Sequence, residues 1–148
     1  MTLAALLPRA TLDGYRIFVL SIAVTYAVSL PFFVLLPVPE RWAFPDSQAV
    51  LLSDLWSARL IETIRPISGL DNCFPSFHVS GTFDLVFVWY VLRLRFRHAI
   101  ALLGAAVALS TILLGIHWLA DVVAGVALAI VSVRVATRLN ASWTRALR

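Results

Sequence analysis

Four long apolar stretches, separated by shorter polar or proline-containing segments, organise this chain of 148 residues. They cover Ile17 to Leu36, Phe77 to Leu92, Ala99 to Ile116 and Trp118 to Val133. The first is long enough to cross a bilayer, and the others are near the lower limit of about 17 residues for a membrane-spanning helix. None alternates apolar and polar positions, so the pattern predicts helices rather than the strands of a membrane barrel.

The second and fourth stretches carry polar side chains near their N-terminal ends. The second is interrupted by His78, Ser80 and Asp84, and the fourth follows His117 and contains Asp121. Polar groups are costly in a membrane-spanning segment, so they are candidates for a functional site. Asp84 lies about two turns beyond His78, and for it we expect a structural role, either a hydrogen bond to another helix or a protonated carboxyl.

The segment from Val38 to Phe74 predicts a connector at the membrane surface. Asp46 and Ser47 can cap a helix, and the apolar residues between Ala49 and Ile64 have an approximately helical spacing. We therefore predict one amphipathic helix lying on the membrane. It fits a lid or lipid entrance over a site, and it equally fits a packed connector.

The composition places the chain in a membrane. It is 61% hydrophobic and 14% charged, with a mean hydropathy of +0.91, whereas soluble domains are about 25% charged. The fold class predicted is all-α: a polytopic membrane helix bundle of about four transmembrane helices plus one interfacial amphipathic helix. We expect residues 1–148 to form a single membrane-embedded domain.

The positions of the arginines predict the topology. All basic residues are arginines, and most precede the first stretch, separate the second and third, or follow the fourth: Arg9, Arg16, Arg93, Arg95, Arg97, Arg134, Arg138, Arg145 and Arg148. Positive residues near short loops stay in the cytoplasm, so these three places are predicted to be cytoplasmic, with the protein in the plasma (inner) membrane. His78 and His117 then lie together at the extracytoplasmic face. No aromatic-interleaved basic domain is present, so no nucleic acid partner is expected.

The residues around the two histidines point to phosphate chemistry. His117 and Asp121 are four residues apart, so they share one helix face, and the carboxylate can fix the imidazole tautomer and leave the other ring nitrogen as a nucleophile or base. Pro75-Ser76-Phe77-His78 adds an imidazole, a hydroxyl and the free N–H groups of a helix start, which bind anions. Arg65 lies on the same side and can reach a phosphate in bidentate geometry.

Three segments, in order along the chain, resemble the motifs of the type 2 phosphatidic acid phosphatase superfamily. They are Arg65-Pro66, the stretch from Cys73 through Pro75-Ser76-Phe77-His78 to Ser80, and the stretch from Gly115 through His117 and Asp121 to Gly125. Phe in place of Gly before His78 is more similar to the branch containing inositol phosphorylceramide synthase. We expect Cys73 to pack beside the site as an inert side chain.

The resemblance implies a phosphatase acting on a lipid phosphate, embedded among membrane lipids and using neither a metal nor another cofactor. His117 would attack phosphorus to form a phosphohistidine, Asp121 would orient it, and His78 would protonate the leaving alkoxide. The phosphoryl oxygens would be bound by Arg65, Ser76, Phe77 and Arg59. Water would then release the phosphate.

The chain departs from the family pattern at two basic positions. Ala58 stands where the first motif begins with Lys, with Arg59 one position away, and Thr111 stands where the third motif carries Arg. Loss of one such donor costs about 100-fold or more in rate. The chain also has fewer predicted helices than the family, which fits either a shortened product lacking N-terminal helices or a minimal version that forms a homo-oligomer.

Three alternatives stay open beside a phosphatase. The first is a phosphotransferase that moves a phosphoryl head group to an alcohol, similar to inositol phosphorylceramide synthase. The second is a catalytically impaired relative that binds a lipid phosphate or a partner. The third is a zinc site formed by His78, His117 and Asp121, since two histidines and a carboxylate are a plausible ligand set.

Overall fold

The structure is a computed structural model and describes residues 9–47, 63 and 72–146. Within these ranges the chain forms α1 (Arg9–Leu35), α2 (Phe77–Val91), α3 (Arg97–Leu113) and α4 (Leu119–Ala146), with single 3-10 turns at Arg41–Ala43 and Pro45–Ser47. The described residues contain no strand, only an isolated parallel bridge between Val38 and Asn72. The all-α prediction is confirmed.

Two of the helices have the length and apolar character needed to cross a membrane. They span Leu12–Leu35 and Leu119–Arg145, while α2 and α3 are apolar but shorter. Large apolar side chains lie exposed on the outer faces of α1 and α3, among them Tyr26, Leu30, Leu102, Leu103 and Leu109. An exposed surface of this kind suits lipid rather than water. The prediction of a membrane helix bundle is therefore confirmed.

The predicted amphipathic helix between Ala49 and Ile64 lies outside the described residues, except for Thr63, which is helical. Its role and its position on the membrane stay predictions.

Three helix boundaries differ from the apolar stretches by more than two residues. α1 begins at Arg9 rather than Ile17. α3 ends at Leu113 rather than Ile116, because Gly115 adopts a left-handed conformation (φ 71°) that terminates helices.

α4 continues to Ala146 rather than ending at Val133. The residues of α4 after Val133 include three arginines and three alanines, which favour helix without being uniformly apolar. The apolar stretch thus covers only the most hydrophobic part of α4, and the helix extends beyond it.

Helix α2 occupies the centre of the bundle. It packs against α1, α3 and α4, and α1 also packs against α4. Gly104 brings α3 close to α2, because a Cβ atom there would stand only 2.8 Å from Cγ2 of Val86. Glycine at this position therefore permits close packing of the two helices.

The four helices run alternately up and down, so the starts of α1 and α3 and the ends of α2 and α4 lie at one end of the bundle. Asn140 of α4 donates a hydrogen bond to Asp13 of α1 (3.4 Å), and a nearby core is formed by Ile17, Val88, Val133 and Ala136. Every described arginine except Arg41 belongs to this end, which we call the arginine end. The opposite end, where α2 and α4 begin, is the histidine end.

A polar cluster lies in the middle of the bundle, between these ends. Thr25 of α1 donates to Asp84 Oδ2 of α2 (2.8 Å), and its Oγ1 lies 2.9 Å from Oγ of Ser132 on α4. All three side chains are completely buried. Asp84 therefore hydrogen-bonds to a neighbouring helix, one of the two structural roles that the sequence indicated.

Candidate active site

The start of α2 is held by Ser76. Its hydroxyl accepts a hydrogen bond from the backbone N–H of Val79 (3.3 Å), which is the contact expected of an N-cap. Its own N–H donates to the carbonyl of Asp121 (3.1 Å). Neither bond uses the N–H groups of Phe77 and His78 in the first turn. Ser76 thus caps α2 and ties its start to α4.

The start of α4 is held by Asp121, the third residue of the helix. Its Oδ2 accepts the N–H of Trp118 (2.8 Å), and its own N–H donates to the carbonyl of Trp118 (3.1 Å). A carboxylate at this position reaching back to the residue before the helix is one half of a capping box. Asp121 is therefore fixed by the helix start itself, before any contact with His117 is considered.

Gly125 permits the two helix starts to approach each other. A Cβ atom at this position would lie 2.8 Å from the carbonyl oxygen of Ser76 and 3.2 Å from Cβ of Val79. The first of these is a backbone atom, which a side-chain rotation cannot move away. Glycine at this point of the third motif is therefore a requirement of packing between α2 and α4.

The three predicted catalytic side chains lie in one row. His78 Nδ1 is 3.3 Å from His117 Nε2, and His117 Nδ1 is 3.6 Å from Asp121 Oδ2. His117 and Asp121 are 1% and 2% exposed, whereas His78 is exposed. The row runs from a buried carboxylate, through a buried imidazole, to an imidazole at the surface. If Nδ1 of His117 carries the proton facing Asp121, its Nε2 presents a lone pair towards His78.

The turn before α4 fixes the backbone of His117. The N–H groups of Ile116 and His117 both donate to the carbonyl of Thr111 (3.0 and 3.1 Å). Thr111 is buried, and its hydroxyl donates to the carbonyl of Ala108 (2.8 Å). The residue at the position of the missing arginine thus supports the loop but carries no charge.

A segment from Val38 to Phe44 packs between the two histidine motifs. The N–H of Arg41 donates to Ile116 (3.3 Å), that of Trp42 to Gly115 (2.9 Å), and that of Cys73 to Val38 (3.2 Å). The sequence predicts this segment only as the start of a surface connector. Its short, non-periodic sequence contains no signal that predicts these contacts.

Buried side chains anchor the same segment. Glu40 is completely buried and accepts a hydrogen bond from the indole N–H of Trp42. The indole N–H of Trp118 donates to the carbonyl of Pro39 (3.2 Å), and its ring meets that of Phe44 edge-on at 6.0 Å. The segment is therefore a fixed wall of the site rather than a loose linker.

One group of possible metal ligands occurs among the described residues. Cys73, His117 and Asp121 are all buried, and each offers a ligand atom within 4.8 Å of the others. The zinc alternative named His78 in place of Cys73, so the structure assembles a different set. Cys73 Sγ also donates to the carbonyl of Ile116 (3.5 Å), which places the thiol beside the site as expected. A metal on His117 would compete with its use as a nucleophile.

Two of the four predicted phosphate-binding residues, Ser76 and Phe77, lie among the described residues. Ser76 and Phe77 lie at the start of α2 beside the histidines. The ring of Phe77 packs on Tyr26 with centroids 4.2 Å apart, so Phe77 offers its backbone N–H rather than its side chain. Arg59 and Arg65 lie outside the described residues, and their roles stay predictions.

The sequence model of the PAP2 superfamily matches residues 14–145, a range that includes both histidine motifs and all four helices in whole or in part. The match is to the superfamily as a whole and selects no branch of it. Comparison with curated proteins gives no match, and comparison with solved structures gives none either.

Proposed function

Because the chain belongs to the PAP2 superfamily, whose members are phosphatases or phosphotransferases, we propose that it hydrolyses a lipid phosphate through a covalent phosphohistidine. The observation that carries this proposal is the 3.3 Å separation of His78 Nδ1 and His117 Nε2 beside the start of α2. A phosphoryl group bound at that helix start has a nucleophile and a proton donor within reach.

In the first step, Nε2 of His117 attacks phosphorus. The bond between phosphorus and the lipid oxygen breaks, and the departing oxygen takes a proton from His78. Asp121 stabilises the positive charge that develops on the His117 ring, since its Oδ2 lies 3.6 Å from Nδ1 and such contacts shorten when substrate binds. The products are the lipid alcohol and phosphohistidine.

In the second step, water attacks the phosphohistidine. His78, now neutral, accepts a proton from the water, and the bond between phosphorus and Nε2 breaks. Inorganic phosphate leaves, and both histidines return to their starting protonation states. The exposure of His78 suits this role, because it must contact first the leaving oxygen and then water.

Charge on the phosphoryl oxygens is stabilised by the first turn of α2. Its N–H groups and the positive end of its dipole face an anion at this position. Arg65 and Arg59 add guanidinium groups in this proposal. No step uses a metal ion, because positioning and charge stabilisation are the main requirements of phosphoryl transfer.

We place the histidine end at the extracytoplasmic face of the plasma (inner) membrane. Of the described arginines, only Arg41 belongs to that end, and the positive-inside rule assigns the arginine end to the cytoplasm. A lipid phosphate in the outer leaflet then reaches the site from its own membrane surface.

The test is turnover by the purified protein in detergent, with the third histidine as a matched control. We expect phosphate release from lipid phosphates with and without a chelator, and an acid-labile phosphoenzyme. His117→Ala should abolish both signals, whereas His98→Ala, at the arginine end on α3, should keep the wild-type kcat/KM. Full turnover by His117→Ala would exclude it as the nucleophile, and loss of turnover with a chelator would exclude the metal-free mechanism.

Transfer to an alcohol is the second candidate, favoured by Phe77 in place of the glycine usual in the second motif. The same phosphohistidine would be attacked by an alcohol instead of water. Adding alcohol acceptors to the assay separates the two functions, because transfer yields a new phosphate ester at the expense of inorganic phosphate.

A further inference from the structure

The histidine end lacks a cation at the position where the resemblance places one. Thr111 stands there, buried, with its hydroxyl bonded to the carbonyl of Ala108. Phosphoryl transfer depends on positive groups that neutralise the equatorial oxygens. A threonine held in this way supplies no charge, so a cation that replaces the arginine of the third motif, in addition to the proposed Arg59 and Arg65, must come from elsewhere in the chain.

Arg41 is the one arginine that the described part of the chain brings to the histidine end. Its backbone N–H donates to the carbonyl of Ile116 (3.3 Å), the residue directly before His117. The next residue, Trp42, repeats the contact with Gly115 (2.9 Å). These two bonds hold the Arg41 backbone one residue away from the nucleophile, in a segment that buried Glu40 anchors.

The Arg41 side chain is available to bind an anion. It is half-buried, and within the described ranges its guanidinium has neither a hydrogen bond nor an ion pair. A partly desolvated charge without a partner is unfavourable, and a phosphoryl group would supply the partner. Guanidinium also matches phosphate oxygens in bidentate geometry.

We propose that Arg41 binds the phosphoryl group of the substrate and supplies the positive charge that position 111 lacks. This inference rests on the proposed function and extends it to a residue outside the three motifs. It also gives the docked Val38 to Phe44 segment a purpose, because the segment carries the cation to His117 and fixes its position.

The first test compares kinetic constants. Arg41→Ala should lower kcat/KM for a lipid phosphate by about 100-fold, as expected for the loss of one charged donor. Arg41→Lys should lose less, because it keeps the charge but not the bidentate geometry. The matched control is Arg134→Ala, an exposed arginine at the other end of the bundle, which should keep wild-type constants. Added guanidinium ions should restore part of the activity of Arg41→Ala alone.

The second test needs no turnover. Inorganic phosphate should raise the Tm of the wild type and of Arg134→Ala in detergent, and it should raise that of Arg41→Ala much less. If Arg41→Ala fails to fold, Arg41→Lys answers the question, since it should show a reduced phosphate-dependent shift at an unchanged Tm without phosphate.

The outcomes separate this inference from the proposed function. Suppose that the wild type hydrolyses no lipid phosphate, but that phosphate raises its Tm and does not raise the Tm of Arg41→Ala. The proposed function then fails and the Arg41 site stands. If the wild type turns over and Arg41→Ala has the same kcat/KM and the same shift, the Arg41 site is wrong and the proposed function stands. A wild type that shows no phosphate-dependent shift also overturns the Arg41 site.

Discussion

The histidine end and the mid-bundle cluster are two polar regions inside one apolar protein. They differ in how their buried polar groups are bonded and in whether they reach the surface. Thr25, Asp84 and Ser132 are completely buried and bond to one another across three helices. His117 and Asp121 are almost as buried, but they lie at a helix start and reach the surface through His78. The first region is closed, and the second reaches the surface.

Helix α2 carries one member of each region. His78 is its second residue, and Asp84 follows six residues later, deep in the bundle. In the sequence both are simply polar groups in an apolar stretch. Their difference shows that a costly polar residue in a membrane helix indicates a structural bond as readily as a catalytic one. We therefore expect substitutions at the histidine end to change activity and those in the cluster to change stability.

Of the three substitutions that compare the two regions, His78→Gln, which removes the proton donor, is expected to have the largest effect. On a lipid phosphate, kcat/KM should fall by about 100- to 10,000-fold, the usual range for general acid–base catalysis. On p-nitrophenyl phosphate the loss should be far smaller, because that leaving group departs without a proton. The Tm should not change, since His78 is exposed. An equal loss on both substrates would show that His78 is not the acid.

An intermediate effect is expected for Gly125→Ala. The added Cβ would stand 2.8 Å from the carbonyl of Ser76, so the start of α2 must move away from α4 and carry His78 with it. A displacement of about 1 Å can cost about 100-fold in rate. The matched control is Gly81→Ala on α2, where the new atom would meet only Ile22 at an ordinary 3.8 Å. Comparable kcat/KM values in the two variants would refute this account.

The smallest effect on activity is expected for Asp84→Ala, which removes the carboxylate acceptor of the Thr25 hydroxyl and leaves only Ser132 Oγ beside it. Losing a buried hydrogen-bond partner should lower the free energy of unfolding by about 1–3 kcal/mol, while kcat of the folded protein stays within about twofold. Ser21→Ala is the control, because that buried hydroxyl bonds only to the carbonyl of Phe18 in its own helix. The change in stability is measured by thermal unfolding in detergent, and kcat is measured by turnover. A large loss of kcat in Asp84→Ala would contradict the separation of the two regions and would show that the cluster also contributes to activity.

Much of the architecture was predictable because it follows from local rules. The starts of α2 and α4 lie at or within one residue of the apolar stretches, since capping residues and helical periodicity are encoded within a few positions. The arginine pattern predicted which helix ends meet, because charges avoid the apolar core. It thereby predicted that His78 and His117 lie at the same end of the bundle.

Contacts between distant segments were not predictable in the same way. The spacing of residues along the sequence does not predict that Cys73, rather than His78, joins His117 and Asp121 as a possible set of metal ligands. Likewise, no periodicity connects Arg41 with Ile116. Such contacts depend on how a non-helical segment fills the space left by packed helices, and that space exists only once the bundle has formed.

The sequence by itself therefore determined the helices, their order and the end of the bundle that carries the histidines, because hydrophobicity, capping and charge act locally along the chain. Only the tertiary structure decided which polar residues are buried in the cluster, how closely α2 and α4 approach at Gly125, and that the backbone of Arg41 bonds to Ile116, the residue before His117. Those outcomes depend on close packing between segments far apart in the chain.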